Sequence, residues 1–183
     1  MPVVSIVIPV LNEDASLAEL YRRVTAVMEQ SHTSCELIFI NDCSIDRSLP
    51  MLREFATQDA KVRVLTFSRN FSHQLAITAG LDYSQGNAVM VMDADLQDPP
   101  EVLPELVAKW QDGYDVVHAV RTMRAGDSVF KRNTAIVFYR LLKRLAGVEI
   151  PVDAGDFRLM SRRAVTALGT LRERHRFVRG LSS

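Results

Sequence analysis

The sequence predicts an α/β fold, a Rossmann-like, doubly wound and mostly parallel sheet flanked by helices. One observation is that short apolar runs rich in β-branched residues recur along the chain between polar or turn residues, as buried strands do. The other is that segments with apolar residues at helical spacing lie between these runs. Strands that alternate with helices favour a parallel sheet, which binds ligands at the carboxyl ends of its strands. The predicted strands are Val3–Val10, Cys35–Asn41, Val62–Phe67, Ala88–Met92 and Asp115–Val120.

The first connecting helix is predicted after Ser16, where apolar residues recur on one face. Ser16 and Glu19 have the spacing of a capping box, in which two side chains satisfy backbone N–H groups at a helix N-terminus. Similar helical patterns follow the second and fourth strands, at Leu49–Ala56 and Leu103–Trp110. The chain therefore begins with repeated strand–helix units.

Charge is unevenly distributed along the chain, although the formal net charge is zero. Residues 1–120 contain 8 Lys and Arg against 17 Asp and Glu, whereas residues 121–183 contain 14 against 5. In this basic part we predict a long amphipathic helix over Val129–Leu145 and a shorter one over Ser161–Leu171. Such a basic surface suits phosphates, nucleic acid or an anionic membrane, and a solvated helix face is the alternative.

Composition limits the class of protein. A chain of 183 residues with 48% hydrophobic and 24% charged residues suits one globular domain, and no linker-like segment divides residues 1–183. Cys35 and Cys43 match neither a disulfide framework nor a zinc pattern, which favours reduced thiols and a cytosolic setting. No apolar run reaches the roughly 18 residues of a membrane-spanning helix, and no signal peptide is recognisable.

The segment after the predicted fourth strand carries paired carboxylates. Strand geometry points Asp93 and Asp95 to the same side, where they repel each other unless a cation lies between them. Mg²⁺ and Mn²⁺ take oxygen ligands and commonly bridge carboxylates to substrate phosphates. The sequence thus indicates a metal–diphosphate site, with helix capping by Asp93 or Asp98 and a solvated Asp95 as the alternative.

Polar residues at two more strand ends favour the metal site. Asn41 and Asp42 stand at the end of the second strand, and Asn12 and Glu13 follow the first. Other classes fit less well. An Asp-x-Asp phosphatase carries its motif after the first strand, a dinucleotide-binding dehydrogenase needs a glycine-rich segment there, and nucleic-acid binding needs exposed aromatic residues among the basic ones.

Five segments together carry a resemblance to a known family: Ile8–Glu13, Ile40–Ser44, Phe67–Phe71, Asp93–Pro100 and Gly155–Arg162. In this order they resemble the family 2 glycosyltransferases of the GT-A fold. Within that family they are most similar to the polyprenyl-phosphate sugar synthases, which include dolichyl-phosphate mannose synthase and bactoprenol glucosyltransferases. The resemblance covers nearly all of the 183 residues.

The resemblance implies a donor site and a metal site. The metal, Mg²⁺ or Mn²⁺, would be held by Asp93, Asp95 and Gln97. Asp42 is suited to accept a hydrogen bond from an N–H of the nucleotide base. The residues implied to bind the nucleotide-sugar are Pro9, Leu11, Glu13, Asp42, Asp93 and Asp95.

The resemblance also implies an acceptor side. Arg121, Lys131 and Arg132 would bind the phosphate of the lipid, with solvent exposure as the alternative for all three. Asp156 is the candidate catalytic carboxylate, either as a base or as an orienting group, with the capping of a turn as the alternative. Asp95 and Arg121 complete the catalytic set. His73 is left out of the site, because a lone histidine there is at least as often a structural hydrogen-bonding group.

The reaction that follows from the resemblance is an inverting sugar transfer from a nucleotide-sugar to a polyprenyl phosphate at the cytoplasmic face of the plasma membrane. UDP-glucose and undecaprenyl phosphate are the expected substrates, and self-association is a further possibility. Relatives continue beyond Ser183 into membrane helices, so we expect a catalytic domain incomplete at its C-terminus. The alternative is a non-catalytic remnant that only binds nucleotide-sugar. Cys43 stands where the family has glycine, which predicts a positive φ or a close backbone approach there.

Overall fold

The computed structural model describes residues 3–120 and 154–170. Six strands and five α-helices lie in these ranges, with a short 3-10 helix at Pro100–Val102. The strands are β1 Val4–Val10, β2 Cys35–Asn41, β3 Val62–Thr66, β4 Ala88–Val91, β5 Val116–Val120 and β6 Ala154–Ser161. The helices are α1 Leu17–Gln30, α2 Ser48–Gln58, α3 His73–Tyr83, α4 Leu103–Gln111 and α5 Arg162–Thr170.

The strands form one sheet in the order β3-β2-β1-β4-β6-β5. β1 pairs in parallel with β2 and β4, and β3 pairs in parallel with β2. β6 runs antiparallel to its neighbours β4 and β5. From β1 the chain builds the sheet outward through β2 and β3 and then returns to the other side of β1 with β4. Open α/β sheets bind ligands at such a change of direction, here at the carboxyl ends of β1 and β4. The predicted fold class is confirmed.

Apolar side chains cover both faces of the sheet. Ile6 and Ile8 of β1 pack on one face with Leu20 of α1, whereas Val7 packs on the other face with Ile77 of α3. All five side chains are fully buried, and burial of each contributes roughly 1.5–3 kcal/mol. Because both faces are covered, the parallel strands read as continuous apolar runs.

Helix α3 packs very closely on the sheet through Gly80. A Cβ atom at this position would lie 2.8 Å from Cδ1 of Ile40 and would overlap Val7. Glycine is therefore required by the close approach of helix and sheet. This contact fixes the position of α3, which begins with His73.

The predicted capping box of α1 is wrong. Ser16 precedes the first residue of the helix, but its hydroxyl donates to the backbone oxygen and to Oε2 of Glu13, each over 3.0 Å. Glu19 instead forms an ion pair of 2.6 Å with Arg22 on the exposed side of α1. The hydroxyl of Ser16 thus binds the loop that precedes the helix rather than the helix itself.

Two elements were not predicted, α3 and β6. Helix α3 buries Ala76, Ile77 and Leu81 and has no continuous polar face, so its helical periodicity is weak. β6 contains Asp156 and Arg158, two charged residues that strands seldom carry in a sheet interior.

The remaining strand bounds agree with prediction to within one residue. The shorter C-terminal helix is α5, whereas the helix predicted over Val129–Leu145 lies outside the described residues. Within residues 3–120 and 154–170, every helix is too short or too polar to cross a bilayer.

Candidate functional site

A cleft of about 250 Å³ opens at the carboxyl ends of β1 and β4. The loops that follow β1, β2 and β4 form its walls, together with the first turn of α3. All six residues predicted to bind the nucleotide-sugar line this cleft: Pro9, Leu11, Glu13, Asp42, Asp93 and Asp95. His73 and Ala76 of α3 line it as well.

Asp93 and Asp95 reach the cleft by a different route from the one predicted. β4 ends at Val91, and Asp95 lies in a turn rather than on the strand, so strand alternation does not align the two carboxylates. The turn is closed by the backbone N–H of Gln97, which donates to Oδ1 of Asp95 over 3.0 Å. The side chain of Gln97 is exposed and does not line the cleft. The predicted metal ligands therefore lie along one loop, but only the two aspartates face the cleft.

Asp93 is an electrostatically unfavourable carboxylate in this structure. Burial raises its pKa, the negative charges of Asp156, Asp95 and Asp98 add to the rise, and His73 opposes it. Among the described residues, its buried Oδ1 atom accepts no hydrogen bond, although Nε2 of His73 lies 3.4 Å away. A cation at this oxygen would relieve both the charge repulsion and the lack of a partner.

His73 stands between two carboxylates. Its Nε2 atom lies 3.2 Å from Oδ2 of Asp156 and 3.4 Å from Oδ1 of Asp93. The hydrogen bond to Asp156 is the main cause of a raised His73 pKa; the charges of Asp93, Asp156 and Asp42 also raise it, and partial burial opposes them. His73, which was not included in the predicted site, thus contacts two of the predicted site residues.

Asp156 is brought to Asp93 by the antiparallel pairing of β6 with β4. Val91 pairs with Arg158 in the last row of that ladder, so Asp93 and Asp156, each two residues further toward the same edge, come together. Arg158 is fully buried, and its Nη2 atom lies 3.5 Å from Oδ1 of Asp156. The Asp156 carboxylate is therefore held from one oxygen by His73 and from the other by Arg158.

Hydrogen bonds join the loops after β1 and β2 into one rigid wall of the cleft. The backbone N–H of Asn12 donates to Oγ of Ser44 over 3.0 Å, and that of Glu13 donates to Oγ of Ser48 over 2.9 Å. In the reverse direction, the N–H of Ile45 donates to Oδ1 of Asn12 over 2.9 Å. The wall that carries Leu11, Glu13 and Asp42 is thus held by side-chain contacts between two loops.

Left-handed backbone is concentrated around the cleft. Four of the five non-glycine residues with positive φ in the described ranges directly adjoin a residue that lines it: Asn12 (φ 58°), Cys43 (φ 63°), Ser72 (φ 84°) and Leu96 (φ 59°). The positive φ predicted for Cys43 is confirmed. Such conformations cost roughly 1–3 kcal/mol each and persist where the surrounding structure enforces them.

The chemistry of the cleft fits a hard divalent cation. Asp93 and Asp95 supply oxygen atoms, and Asp42, Glu13 and Asp156 add negative charge nearby. No cluster of three or more His, Cys, Asp or Glu side chains arranged to hold a metal occurs within residues 3–120 and 154–170. Mg²⁺ is commonly bound by one or two carboxylates together with water and substrate phosphates. Two carboxylates that open onto a cleft agree with that mode of binding.

Sequence reasoning missed His73 and Arg158. His73 begins α3, and its relation to the site depends on how that helix packs on the sheet, which has no local sequence signal. Arg158 follows Asp156 at strand spacing, and this spacing could have indicated that the two side chains share a face of one strand. Arg121, Lys131 and Arg132, the predicted phosphate-binding residues, lie outside the described ranges.

Comparison with known proteins identifies the family. The model of the glycosyl transferase family 2 matches residues 5–169, a range that contains the whole cleft. The chain belongs to this family. The resemblance noted from the sequence motifs is thereby confirmed.

Two relatives and one solved structure illustrate the similarity. An uncharacterized glycosyltransferase, YkcC of Bacillus subtilis (strain 168), is 53% identical over 98% of this chain and 55% of its own length. Bactoprenol glucosyl transferase of Shigella phage SfV is 42% identical over 98% of this chain and 59% of its own length. This family 2 chain thus spans little more than half the length of these curated relatives.

The solved structure is glucosyl-3-phosphoglycerate synthase from Mycobacterium tuberculosis, in complex with Mn²⁺, UDP and glucosyl-3-phosphoglycerate. It has a TM-score of 0.64 and 22% identity, over 89% of this chain and 58% of that protein. This likeness supports the GT-A fold.

Proposed function

We propose that this chain forms the donor-binding catalytic part of a glycosyltransferase that moves glucose from UDP-glucose to undecaprenyl phosphate, with inversion at the anomeric carbon. The observation that carries the proposal is the cleft at the carboxyl ends of β1 and β4, where Asp42, Asp93 and Asp95 face one space. The phage relative named bactoprenol glucosyl transferase supports the choice of sugar and of lipid.

Each wall of the cleft suits one part of the donor. Pro9, Leu11 and Asp42 offer an apolar surface and a hydrogen-bond acceptor for the uracil base. Asp93 and Asp95 would hold Mg²⁺ or Mn²⁺ together with the diphosphate. Gln97 would support this metal site through its backbone N–H, which donates to Asp95 and closes the turn. The Mn²⁺ in the Mycobacterium structure supports a divalent ion as cofactor. When bound, the ion supplies positive charge that stabilises the departing diphosphate.

In the proposed reaction, an oxygen of the lipid phosphate attacks the anomeric carbon of glucose. The bond from that carbon to the β-phosphate oxygen breaks, and UDP leaves with the electron pair. A phosphate monoester has a second pKa of about 6 and is largely ionised at neutral pH, so little help from a base is needed. Asp156, which is held by His73 and Arg158, would therefore orient the acceptor rather than remove a proton.

The acceptor side is proposed to include basic residues that follow β5 in the sequence. Arg121, Lys131 and Arg132 are proposed to bind the lipid phosphate, and Arg121 to stabilise charge at the reacting centre. Anionic headgroups attract such basic residues, which agrees with action at the cytoplasmic face of the plasma membrane. Self-association of the chain is compatible with this arrangement and can be measured by light scattering.

Isothermal calorimetry with UDP tests the donor site. UDP is expected to bind only when Mn²⁺ is present, and Asp95→Ala should abolish this binding. Asp112→Ala is the matched control, because Asp112 is an exposed aspartate at the end of α4, away from the cleft. Binding that is absent or independent of Mn²⁺ would overturn the proposed metal site.

The alternative is a chain that binds nucleotide-sugar without transferring it. This alternative is favoured by the 55% and 59% coverage of the two relatives. Transfer of labelled glucose to undecaprenyl phosphate should be compared between this chain and a chimera that continues into the remaining sequence of the Bacillus protein. Transfer by the chimera alone would identify this chain as the donor-binding part only, and transfer by neither would refute the proposed substrates.

A further inference from the structure

One imidazole nitrogen serves two carboxylates of the cleft. Nε2 of His73 lies 3.2 Å from Asp156 and 3.4 Å from Asp93. Since ionised carboxylates only accept hydrogen bonds, this nitrogen must carry the hydrogen. A single N–H forms a full hydrogen bond to one acceptor at a time, so the two carboxylates compete for it.

The competition affects cation binding, because the imidazole faces an oxygen of the aspartate that is proposed to hold the metal. The atom that faces His73 is Oδ1, which is buried and accepts no hydrogen bond among the described residues. A cation in the cleft would bind this same aspartate. When the imidazole donates to Asp156, the Asp93 carboxylate keeps its negative charge for the cation, whereas donation to Asp93 places a hydrogen-bond donor on that carboxylate and weakens its attraction for the cation.

The backbone of His73 is fixed, so only a rotation of its side chain can change which carboxylate accepts the N–H. Gly80 places α3 directly against β1 and β2. In addition, the backbone N–H groups of Phe71 and Ser72, immediately before the helix, donate to Asp42 over 2.7 Å and 3.0 Å. The backbone is thus held both before α3, by Asp42, and within α3, by Gly80. A small rotation of the imidazole is then enough to change its hydrogen-bond partner.

We infer that His73 is a positioning residue that couples Asp156 to the metal-binding carboxylate Asp93. Asp156 draws the imidazole away from Asp93 and so favours cation binding on the donor side of the cleft. The inference rests on the proposed function, because it takes Asp93 as a metal ligand. It adds a link between the acceptor-side carboxylate and the donor-side metal.

A double-mutant cycle on Mn²⁺ affinity tests the coupling without any need for catalysis. Mn²⁺ binding is measured by electron paramagnetic resonance in the presence of UDP, for the unmodified chain, Asp156→Asn, His73→Ala and the double variant. Asp156→Asn should weaken Mn²⁺ binding about tenfold when His73 is present, because the imidazole then turns to Asp93. With His73→Ala the same change should weaken binding by a clearly smaller factor, through loss of the neighbouring Asp156 charge alone.

Two further variants separate positioning from a structural effect. His73→Gln keeps an N–H donor at similar reach and should restore the large effect of Asp156→Asn. His32→Asn, at an exposed histidine just before β2, should leave the effect unchanged. If circular dichroism shows that His73→Ala does not fold, His73→Met takes its place in the cycle.

The outcomes distinguish this inference from the proposed function. Equal effects of Asp156→Asn with and without His73, in a chain that still binds Mn²⁺ and UDP together, would overturn the coupling and leave the metal site intact. Failure of the unmodified chain to bind Mn²⁺ with UDP would refute the metal site itself, and the coupling with it.

Discussion

Ser72 donates its backbone N–H to Oδ2 of Asp42 over 3.0 Å. Phe71 donates in the same way to Oδ1 of this carboxylate over 2.7 Å, so the end of β2 is tied to the start of α3. Asp42 is only 3% exposed. The carboxylate proposed to contact the nucleotide base therefore also fixes the helix that carries His73.

Removal of the Asp42 carboxylate should weaken both folding and donor binding. We expect Asp42→Ala to lower the free energy of unfolding by about 2 kcal/mol, because two backbone donors lose a charged acceptor. Asp42→Asn keeps one acceptor oxygen and should lose less. Urea unfolding followed by circular dichroism measures the change, with Asp112→Ala expected within about 0.5 kcal/mol of the unmodified chain. An Asp42→Ala variant of unchanged stability would contradict the role of these hydrogen bonds.

Cys43 should be replaceable by glycine with a gain in stability. Its φ of 63° strains any residue with a Cβ atom, by roughly 1–2 kcal/mol, while the greater freedom of unfolded glycine offsets about 0.5–1 kcal/mol. Cys43→Gly is therefore expected to raise the free energy of unfolding by up to about 1.5 kcal/mol. Cys43→Ala removes the thiol but keeps the Cβ atom and should give no such gain. Equal stability of the two variants would show that the positive φ at residue 43 does not destabilise the folded state.

Two helical glycines provide a matched pair for the packing of α3. At Gly80 a Cβ atom would collide with Val7 and Ile40, whereas at Gly169 in α5 it would meet no atom within 4 Å among the described residues, apart from the backbone of its own helix. Gly80→Ala should destabilise the fold by about 1–3 kcal/mol through overpacking. Gly169→Ala should stabilise it by up to about 1 kcal/mol through helix propensity. Thermal unfolding of both variants tests the pair, and changes of the same sign would contradict this packing.

The contact of Asp115 with α5 should make stability depend on pH in the acid range. Hydrogen bonds from Arg163 and Ser161 lower the pKa of Asp115, so its ionised form is favoured in the folded state. The stability it contributes is present above the ordinary aspartate pKa, about 3.9, and is lost as the pH falls through the lowered value.

The measurement for Asp115 is the difference in unfolding free energy between the unmodified chain and Asp115→Asn from pH 2.5 to 7. The difference should be constant above about pH 5 and shrink below pH 4. In an Arg163→Gln background the dependence on pH should be smaller. If the difference in unfolding free energy grew as the pH fell, the stabilising role of the ionised Asp115 carboxylate would be refuted.

The strands and the acidic strand ends could be predicted because their signals are local. Val4–Val10 and Cys35–Asn41 read as buried strands from their own composition, and Asp93 and Asp95 follow such a strand directly. The carboxyl ends of neighbouring parallel strands must meet at one edge. That rule is enough to bring Asp42 and Asp93 together in one cleft.

The features that sequence missed depend on long-range packing. His73 reaches the cleft because Gly80 lets α3 approach the sheet, a contact between residues far apart in the chain. Arg158 is a charged residue that is fully buried in the sheet. Because it interrupts the apolar sequence of β6, this strand was not predicted. The Ser16–Glu19 capping box does not form because the backbone N–H of Ser16 donates to the backbone oxygen of Glu13 and the carboxylate of Glu19 pairs with Arg22.

The pairing of Val91 with Arg158 has a consequence for any attempt to exchange parts between relatives. Side chains alternate along β6, so a slip of one residue against β4 would turn Arg158 and Asp156 to the opposite face and bring Phe157 and Leu159 toward the site. An exchanged segment must therefore keep this register even where its own sequence is tolerated. Hybrid enzymes joined outside β4 and β6 should keep the site, whereas a single-residue insertion within β6 should lose the site and the core packing together.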